Sequence, residues 1–177
     1  LELPTVTPIL PSPGTTHYRN KLEFTFSNSR WFTREEIGTL GDDPDRNALG
    51  FHIPRRFDRV LDISTCHLQP EPSNSIRNFV REHARKHGLS FYDVRAHQGF
   101  LRTLLIRTTT TGESMVLLAV GHEDVDARER LLGALLGAFP QLTSLLWTVN
   151  PKKNDTIYDL DIHVFHGRDH LIEELPD

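Results

Sequence analysis

Residues 21–27 read KLEFTFS, and this short run decides the fold class. Its apolar residues (Leu22, Phe24 and Phe26) fall on one face of an extended chain, because successive side chains of a strand point to opposite faces. A period of two with a single apolar face is typical of a strand that is buried on one side only. The run therefore predicts a half-buried strand over 21–27.

Comparable patterns on both sides of this run predict the rest of the fold. Further strands are predicted at 48–53, 59–63, 101–108, 114–120, 142–149, 161–165 and 170–174, the last two as a hairpin. One amphipathic helix, capped by Ser73 or Ser75, is predicted to run to about His87 and to end at Gly88, and a second spans 124–138. Most connections between strands are too short for parallel crossovers. We therefore predict an α+β fold with a largely antiparallel sheet and two main helices packed on one face.

The two ends of the chain differ in composition. Residues 1–14 are rich in proline and threonine and are predicted to form an extended lead-in, whereas residues 15–177 form one domain. The polar run 41–47 is predicted to be a mobile loop. Because the chain does not begin with methionine, we expect it to be part of a longer protein.

Composition bounds the class of protein. The chain has 177 residues, 37% of them hydrophobic and 25% charged, which is typical of a soluble globular domain. It has a single cysteine and neither a signal peptide nor an apolar run long enough for a membrane helix, so we expect a cytoplasmic protein without membrane contact. The net charge of −4 is unusual for a nucleic-acid binder. Any contact with a nucleic acid must therefore use a local patch or depend on other parts of a longer protein.

No glycine-rich loop stands between a predicted strand and a predicted helix, so a Rossmann or P-loop nucleotide site is not expected. His83 and His87 have helical spacing but lack the glutamate of the zinc-protease pattern, and we interpret them as a helix face. His163, His166 and His170 are interpreted as surface or partly buried histidines. For Cys66, the residues alone favour an inert, half-buried thiol over a nucleophile or a metal ligand.

Two basic arrangements remain as candidates for binding. Residues 18–21, YRNK, combine an aromatic ring, two cations and an amide, a mixture that suits RNA phosphates and unstacked bases. Arg77, Arg81 and Arg85 form a ridge on the first helix, for which a solvated face is the favoured interpretation. Residues 95–102 add another arginine and a histidine around Gly99, which is expected to serve a turn.

The run YRNKLEFTFS at 18–27 resembles a segment of the RNA uracil-5-methyltransferases. Shorter matches follow in the order of that family and extend over nearly the whole chain from Tyr18: ALGFH at 48–52, VLDI at 60–63 leading to Cys66, HQG at 97–99 with LR at 101–102 and Arg107, Asn150 with ND at 154–155, and GRD at 167–169 with IE at 172–173. The branch that the chain resembles most is the 23S ribosomal RNA enzyme rather than the transfer RNA one.

The resemblance implies the central domain of an S-adenosylmethionine-dependent enzyme. In the family this domain stands between a small RNA-binding barrel and a Rossmann-like methyltransferase domain, neither of which this chain contains. Cys66 is similar to the fourth ligand of a [4Fe-4S] cluster whose other three cysteines lie upstream, so the cluster is expected in the longer protein and not here. The family's catalytic cysteine and proton-removing glutamate have no counterpart, and we expect this chain alone to be inactive and to bind neither cofactor.

By the same resemblance, Arg19, Lys21, Phe51, His52 and His97 are the predicted RNA contacts. The cations would hold phosphates and Phe51 would stack on a displaced base, although a core aromatic is an equal alternative for Phe51. The expected partner is RNA, 23S ribosomal RNA in particular, bound through a longer monomeric protein. Two other classes stay open, namely a stand-alone RNA-binding module and a protein-interaction domain that uses the exposed face of the sheet.

Overall fold

A computed structural model of the chain describes residues 7–174. Residues 1–6 of the predicted lead-in and residues 175–177 of the predicted domain lie outside this range. The described elements, in chain order, are β1 (Lys21–Ser27), β2 (Arg30–Trp31), α1 (Arg34–Ile37), β3 (Ala48–Ile53), β4 (Arg56–Asp62), α2 (Ser73–Lys86), β5 (Leu101–Thr108), β6 (Ser114–Val120), α3 (Val125–Ala138), β7 (Ser144–Val149) and β8 (His163–Gly167). Within the described range, no helix is long and apolar enough to cross a membrane.

The strands form one sheet in the order β2-β4-β3-β1-β5-β6-β7-β8. Neighbours are antiparallel except for β2 with β4 and β6 with β7, which are parallel. The second parallel pair exists because α3 carries the chain back across the sheet between β6 and β7. The predicted α+β class with a largely antiparallel sheet is confirmed.

The alternation in β1 has the predicted effect on burial. Leu22, Phe24 and Phe26 are at most 5% exposed and lie in the main core. Each such side chain contributes on the order of 1.5–3 kcal/mol through removal from water. Apolar residues of α2 and α3 belong to the same core, so both long helices cover one face of the sheet as predicted. A smaller apolar cluster lies apart from this core and is formed by Leu105, Met115, Leu117, Ala119 and Leu146, with Ile157 and Leu171 packed against it.

The C-terminal hairpin prediction is wrong. Only one strand forms there, β8, and it pairs antiparallel with β7. Residues 170–174 have no strand structure; instead, Glu173 accepts a hydrogen bond from the backbone N–H of Thr110 at 3.0 Å, in the turn between β5 and β6. The polar side chains of this segment bind a turn rather than a neighbouring strand.

The predicted serine caps of α2 are also wrong. Ser73 is the first residue of the helix and donates its hydroxyl to Gln69, while Pro72 occupies the N-cap position. Ser75 bonds to Glu71 within the first turn. Gly88 follows the helix with a φ of 64°, a left-handed conformation that favours glycine, as the sequence predicts.

Candidate nucleic-acid interface

The start of β1 is an open edge of the sheet. β1 pairs with β5 from Lys21 to Thr25, but its ladder with β3 covers only Thr25–Ser27. The first residues of β1 therefore lack a paired strand on the β3 side within the described chain. A depression of about 290 Å³ fills this place, and it is lined by Arg19, Lys21, Leu22, Glu23 and Phe51. Three of the five predicted RNA contacts thus lie around one depression.

The segment before β1 is fixed by its backbone while its side chains face solvent. His17 and Arg19 donate their N–H groups to the carbonyls of His67 and Leu68 at 2.7 and 2.9 Å. Thr108 donates to the carbonyl of Asn20 at 2.9 Å. The Tyr18 side chain is 62% exposed, and that of Arg19 is also exposed. A rigid backbone with free side chains is suited to binding because little order has to be imposed on contact.

A second cleft, of about 390 Å³, adjoins the same segment on the β5 side. Asn20, Arg107 and Thr108 form one wall, and the other is formed by Asp169, His170, Leu171 and Glu173. The Arg107 guanidinium makes no ion pair or hydrogen bond with the residues that the structure describes, and the same holds for Arg19. Two cations without a direct ion pair among the described residues therefore flank the start of β1, although Asp169 and Glu173 line the same cleft as Arg107. Sequence reasoning did not select Arg107, although it lies in the matched segment, because a lone cation at an outward strand position is an ordinary pattern.

Lys21 is the third cation of this surface. Its ammonium is 2.6 Å from a carboxylate oxygen of Glu23, and both side chains are more than a third exposed. Ion pairs in such solvent-accessible positions contribute little free energy, with a median of about 0–1 kcal/mol. An incoming phosphate can therefore replace Glu23 at small cost.

Phe51 is both a core residue and a surface residue. Its ring centroid is 5.2 Å from that of Phe24 at an interplanar angle of 34°, and it packs against the main core. It is only partly buried, and it also lines the depression at the start of β1. The core alternative therefore holds for the part of the ring that packs on Phe24, while stacking of the accessible part on a base stays a prediction.

His52 and His97 lie apart from that depression. His52 follows Phe51 in β3, so its side chain points to the other face of the sheet, where it lines a narrow crevice with Tyr92 and Val94. His97 is exposed, with a φ of 55°, in the turn 93–98. The structure thus divides the five predicted contacts into a group of three at β1 and two histidines near the turn 93–98.

The carboxylate of Asp93 organises this turn. It accepts hydrogen bonds from the side chain of Asn28 at 3.0 Å and from the backbone N–H groups of Arg95 and Ala96 at 2.8 and 2.9 Å. The hydrogen bond from Asn28, followed by that from Ala96, lowers the pKa of Asp93 below its ordinary 3.8. Asp93 is therefore ionised at neutral pH and holds the turn in one conformation.

Arg102 forms hydrogen bonds with several of the residues that carry the sequence resemblance. It is 2% exposed and donates to the carbonyls of Asn150 and Asn154 and, at 2.8 Å, to the carboxylate of Asp155. Its guanidinium carbon lies 4.1 Å from the ring centroid of Tyr92. These matched residues therefore serve to anchor the segment 150–155 to the sheet.

The Cys66 thiol is 7% exposed and lies beside the N-terminal turns of α2. Asn74 bonds to both backbone groups of Cys66, and Arg77 donates to Asn74 and to the carbonyl of Ser64, each at 2.9 Å.

Arg77 is fully buried and Arg81 is 8% exposed, so the solvated-face interpretation of the arginine ridge is wrong. Within the described chain, no group of three or more histidine, cysteine or acidic side chains could hold a metal ion.

Comparison with known proteins shows a relationship to RNA methyltransferases over one segment of those proteins. No protein-family model matches the chain. Over 99% of its length, the chain is 50% identical to a protein of Bacteroides thetaiotaomicron and 49% identical to one of Porphyromonas gingivalis, each named an uncharacterized RNA methyltransferase. A protein of Chlorobaculum tepidum with a name of the same kind is 37% identical. The chain spans 39% of the length of the first two relatives. The resemblance to RNA methyltransferases is therefore confirmed.

A solved structure supports the fold. The tRNA (uracil-54, C5)-methyltransferase of Pyrococcus abyssi, in complex with S-adenosyl-L-homocysteine, matches with a TM-score of 0.67 and 22% sequence identity. The match covers 95% of this chain and 36% of that one. At this level of identity the likeness concerns the fold alone.

Proposed function

We propose that this chain is the central, RNA-contacting domain of an S-adenosylmethionine-dependent RNA uracil-5-methyltransferase that acts on 23S ribosomal RNA. The observation that carries the proposal is the depression at the open start of β1, where Arg19, Lys21 and Phe51 meet. Cations beside an aromatic edge match the phosphates and unstacked bases of a single RNA strand.

The proposed interface attracts RNA through a few local cations, although the chain as a whole is acidic. The net charge of −4 repels a polyanion at long range, whereas Arg19 and Arg107 attract phosphates at the start of β1. Binding by this chain alone is therefore weak and strongly dependent on salt. Its role is to position the RNA, while other parts of the longer protein carry out the methyl transfer.

S-adenosylmethionine does not fit the strand–helix unit of this chain. The turn between β6 and α3 contains a single glycine, Gly121, and the N-terminus of α3 already binds the carboxylate of Asp124, which accepts from the N–H of Ala127 at 2.9 Å. The connection between β6 and α3 is therefore not a glycine-rich turn with a free helix N-terminus of the kind that binds such cofactors. The proposal assigns this cofactor to another domain.

The [4Fe-4S] cluster does not fit this chain alone either, because such a cluster needs four protein ligands and the sequence has one cysteine. Within the longer protein, Cys66 is proposed as one of the four. The anchoring of its backbone by Asn74 agrees with a ligand that has to be held in place. No catalytic step is assigned to the cluster.

The test is an activity assay on the longer protein that contains this sequence, purified without oxygen. It is incubated with S-adenosylmethionine and unmodified 23S ribosomal RNA labelled with tritium at C5 of uracil. The proposal expects release of tritium together with incorporation of methyl groups. Transfer RNA labelled in the same way serves as the comparison substrate in a parallel assay. Tritium release from transfer RNA only would show that transfer RNA, and not 23S ribosomal RNA, is the substrate. Tritium release from neither RNA, with the cluster intact, would contradict the proposed activity.

The same preparation tests Cys66. Its change to alanine should lower the content of iron and acid-labile sulfide and the visible absorbance of the cluster. Asn78→Ala is the control, because Asn78 contacts the same loop through the carbonyl of Ser64 but not Cys66 itself. An unchanged iron content in the Cys66 variant would remove Cys66 from the ligand set.

A further inference from the structure

The tip of the β3–β4 hairpin carries an exposed aromatic ring between exposed cations. Arg55, Arg56 and Phe57 are all exposed, and the Phe57 side chain retains 67% of its accessible surface. The phenylalanines of β1, in contrast, are at most 1% exposed. A large apolar side chain in this position is not explained by core packing.

The guanidinium of Arg95 contacts one side of the Phe57 ring. The guanidinium carbon of Arg95 lies 5.7 Å from the ring centroid, within the range of a cation–π interaction. Two nitrogens of Arg95 donate to one carboxylate oxygen of Asp58, at 2.7 and 3.1 Å. The Arg95 side chain is itself 71% exposed and covers one side of the ring, and the remainder of the ring is accessible to a ligand.

The surroundings of Phe57 are basic although the chain as a whole is acidic. Asp58, the carboxylate next to Phe57, is already compensated by Arg95. Arg55 and Arg56 form no ion pair with the described residues. Arg55 also has a φ of 65°, which directs the chain through a tight turn between β3 and β4. The tip thus presents two uncompensated cations beside one aromatic face.

The chemistry favours single-stranded RNA over a protein partner. An aromatic ring stacks on any unpaired base, and neighbouring arginines bind the flanking phosphates. A protein partner would be expected to cover a contiguous apolar patch, but the residues on either side of Phe57 are charged. Because Phe57 contacts Arg95, the tip lies beside the turn 93–98 that carries His97, another predicted RNA contact.

We propose that Phe57, Arg55 and Arg56 form a second contact site, in which Phe57 stacks on one unpaired base of single-stranded RNA and the two arginines bind adjacent phosphates. This inference rests on the proposed RNA-contacting role and adds a site outside the depression at β1. Stacking on one base corresponds to a loss of about tenfold in affinity when the ring is removed.

The first experiment places a fluorescent reporter in the site. The chain with the substitution Phe57→Trp is titrated with a short single-stranded RNA. Stacking of a base on the new indole ring is expected to quench its fluorescence. Ile37→Trp is the matched control, since Ile37 is 61% exposed on α1, away from the hairpin. Quenching only in the Phe57 variant supports the site. Equal quenching in both variants, or none in either, overturns it.

The second experiment measures affinity by fluorescence anisotropy with the same RNA, labelled at one end. Phe57→Ala should weaken binding about tenfold, whereas Phe57→Trp should preserve it. Changing Arg55 and Arg56 together to glutamine should lower the salt dependence of binding by about 1.4 in the logarithmic slope, the value for two phosphates of a single strand. Equal affinities for a duplex of the same sequence, or quenching by inorganic polyphosphate, would overturn base stacking.

Failure of this inference can be distinguished from failure of the proposed function. Tritium release by the longer protein together with an unquenched Phe57→Trp variant overturns only the second site. Quenching together with an inactive longer protein overturns only the methyltransferase assignment. If Phe57→Ala instead abolishes self-association of the chain, measured by light scattering, the tip is a protein contact and the RNA site is wrong.

Discussion

The side-chain amide of Asn74 holds the backbone of Cys66 at two points. Its Oδ1 atom accepts the Cys66 N–H at 2.8 Å, and its Nδ2 atom donates to the Cys66 carbonyl at 3.1 Å. The same Oδ1 atom accepts from the buried guanidinium of Arg77. Cys66 is therefore fixed by contacts that do not involve its sulfur, which leaves the thiol available as a ligand.

Replacing Asn74 with alanine should loosen the Cys66 loop. We expect a loss of about 1–3 kcal/mol in the free energy of unfolding, because two backbone groups and the Arg77 donor lose their partner. The rate at which Cys66 reacts with a thiol reagent should rise as the loop opens. Urea unfolding and thiol-reaction kinetics measure the two effects. With Asn78→Ala as the control, equal reaction rates in the two variants would show that Asn74 does not restrain Cys66.

Removing the buried arginine of β5 should release the segment 150–155. Arg102→Leu removes the donor to the Asn150 carbonyl and one of the two donors to the Asn154 carbonyl, so we expect a loss of about 2–4 kcal/mol in the free energy of unfolding. Amide hydrogen exchange should become faster in 150–155. Arg107→Leu, an exposed position in the same strand, should change stability by less than about 0.5 kcal/mol. Unchanged exchange in the Arg102 variant would contradict the anchoring role.

The cations at the start of β1 should control RNA affinity without affecting stability. Arg19→Ala and Arg107→Ala should each weaken binding to single-stranded RNA, and each should reduce the logarithmic salt dependence by about 0.7, the value for one lost phosphate contact. Arg34→Ala on α1 is the control, as an exposed arginine remote from the depression. Anisotropy titrations at several salt concentrations give both quantities. An effect of the same size in all three variants would mean that only net charge matters.

The sequence predicts an element well where its own residues carry a clear pattern. The bounds of β1 agree with prediction because its apolar residues alternate along the strand, and those of β5 and β6 agree because each is an apolar run next to the turn 109–113. β2 and α1, with two and four residues, are too short to show any period. The parallel pairing of β6 with β7 depends on the path of α3 across the sheet, which local patterns do not contain.

The candidate site was predictable only in part, for a similar reason. Arg19, Lys21 and Phe51 could be selected, but their meeting depends on the point at which β3 diverges from β1. Arg77 has the spacing of a solvated ridge, yet it is buried because the carbonyls of Ile63 and Ser64 lie within reach of its guanidinium. Its burial is set by a loop that precedes the helix, not by the helix pattern itself.

The turn 93–98 should make a contribution to stability that disappears in acid. The pKa of Asp93 is lowered in the folded chain by the hydrogen bonds from Asn28 and Ala96, so ionised Asp93 favours folding above the ordinary pKa of 3.8. That contribution is lost as the pH falls below 3.8 and through the lowered value. We therefore expect Asp93→Asn to be less stable than the unmodified chain at pH 6 and the difference to shrink below pH 3.8. Urea unfolding at a series of pH values measures it, with Asp42→Asn in the loop 41–47 as the control. A difference that stays constant with pH would show that the geometry of the side chain, and not its charge, holds the turn.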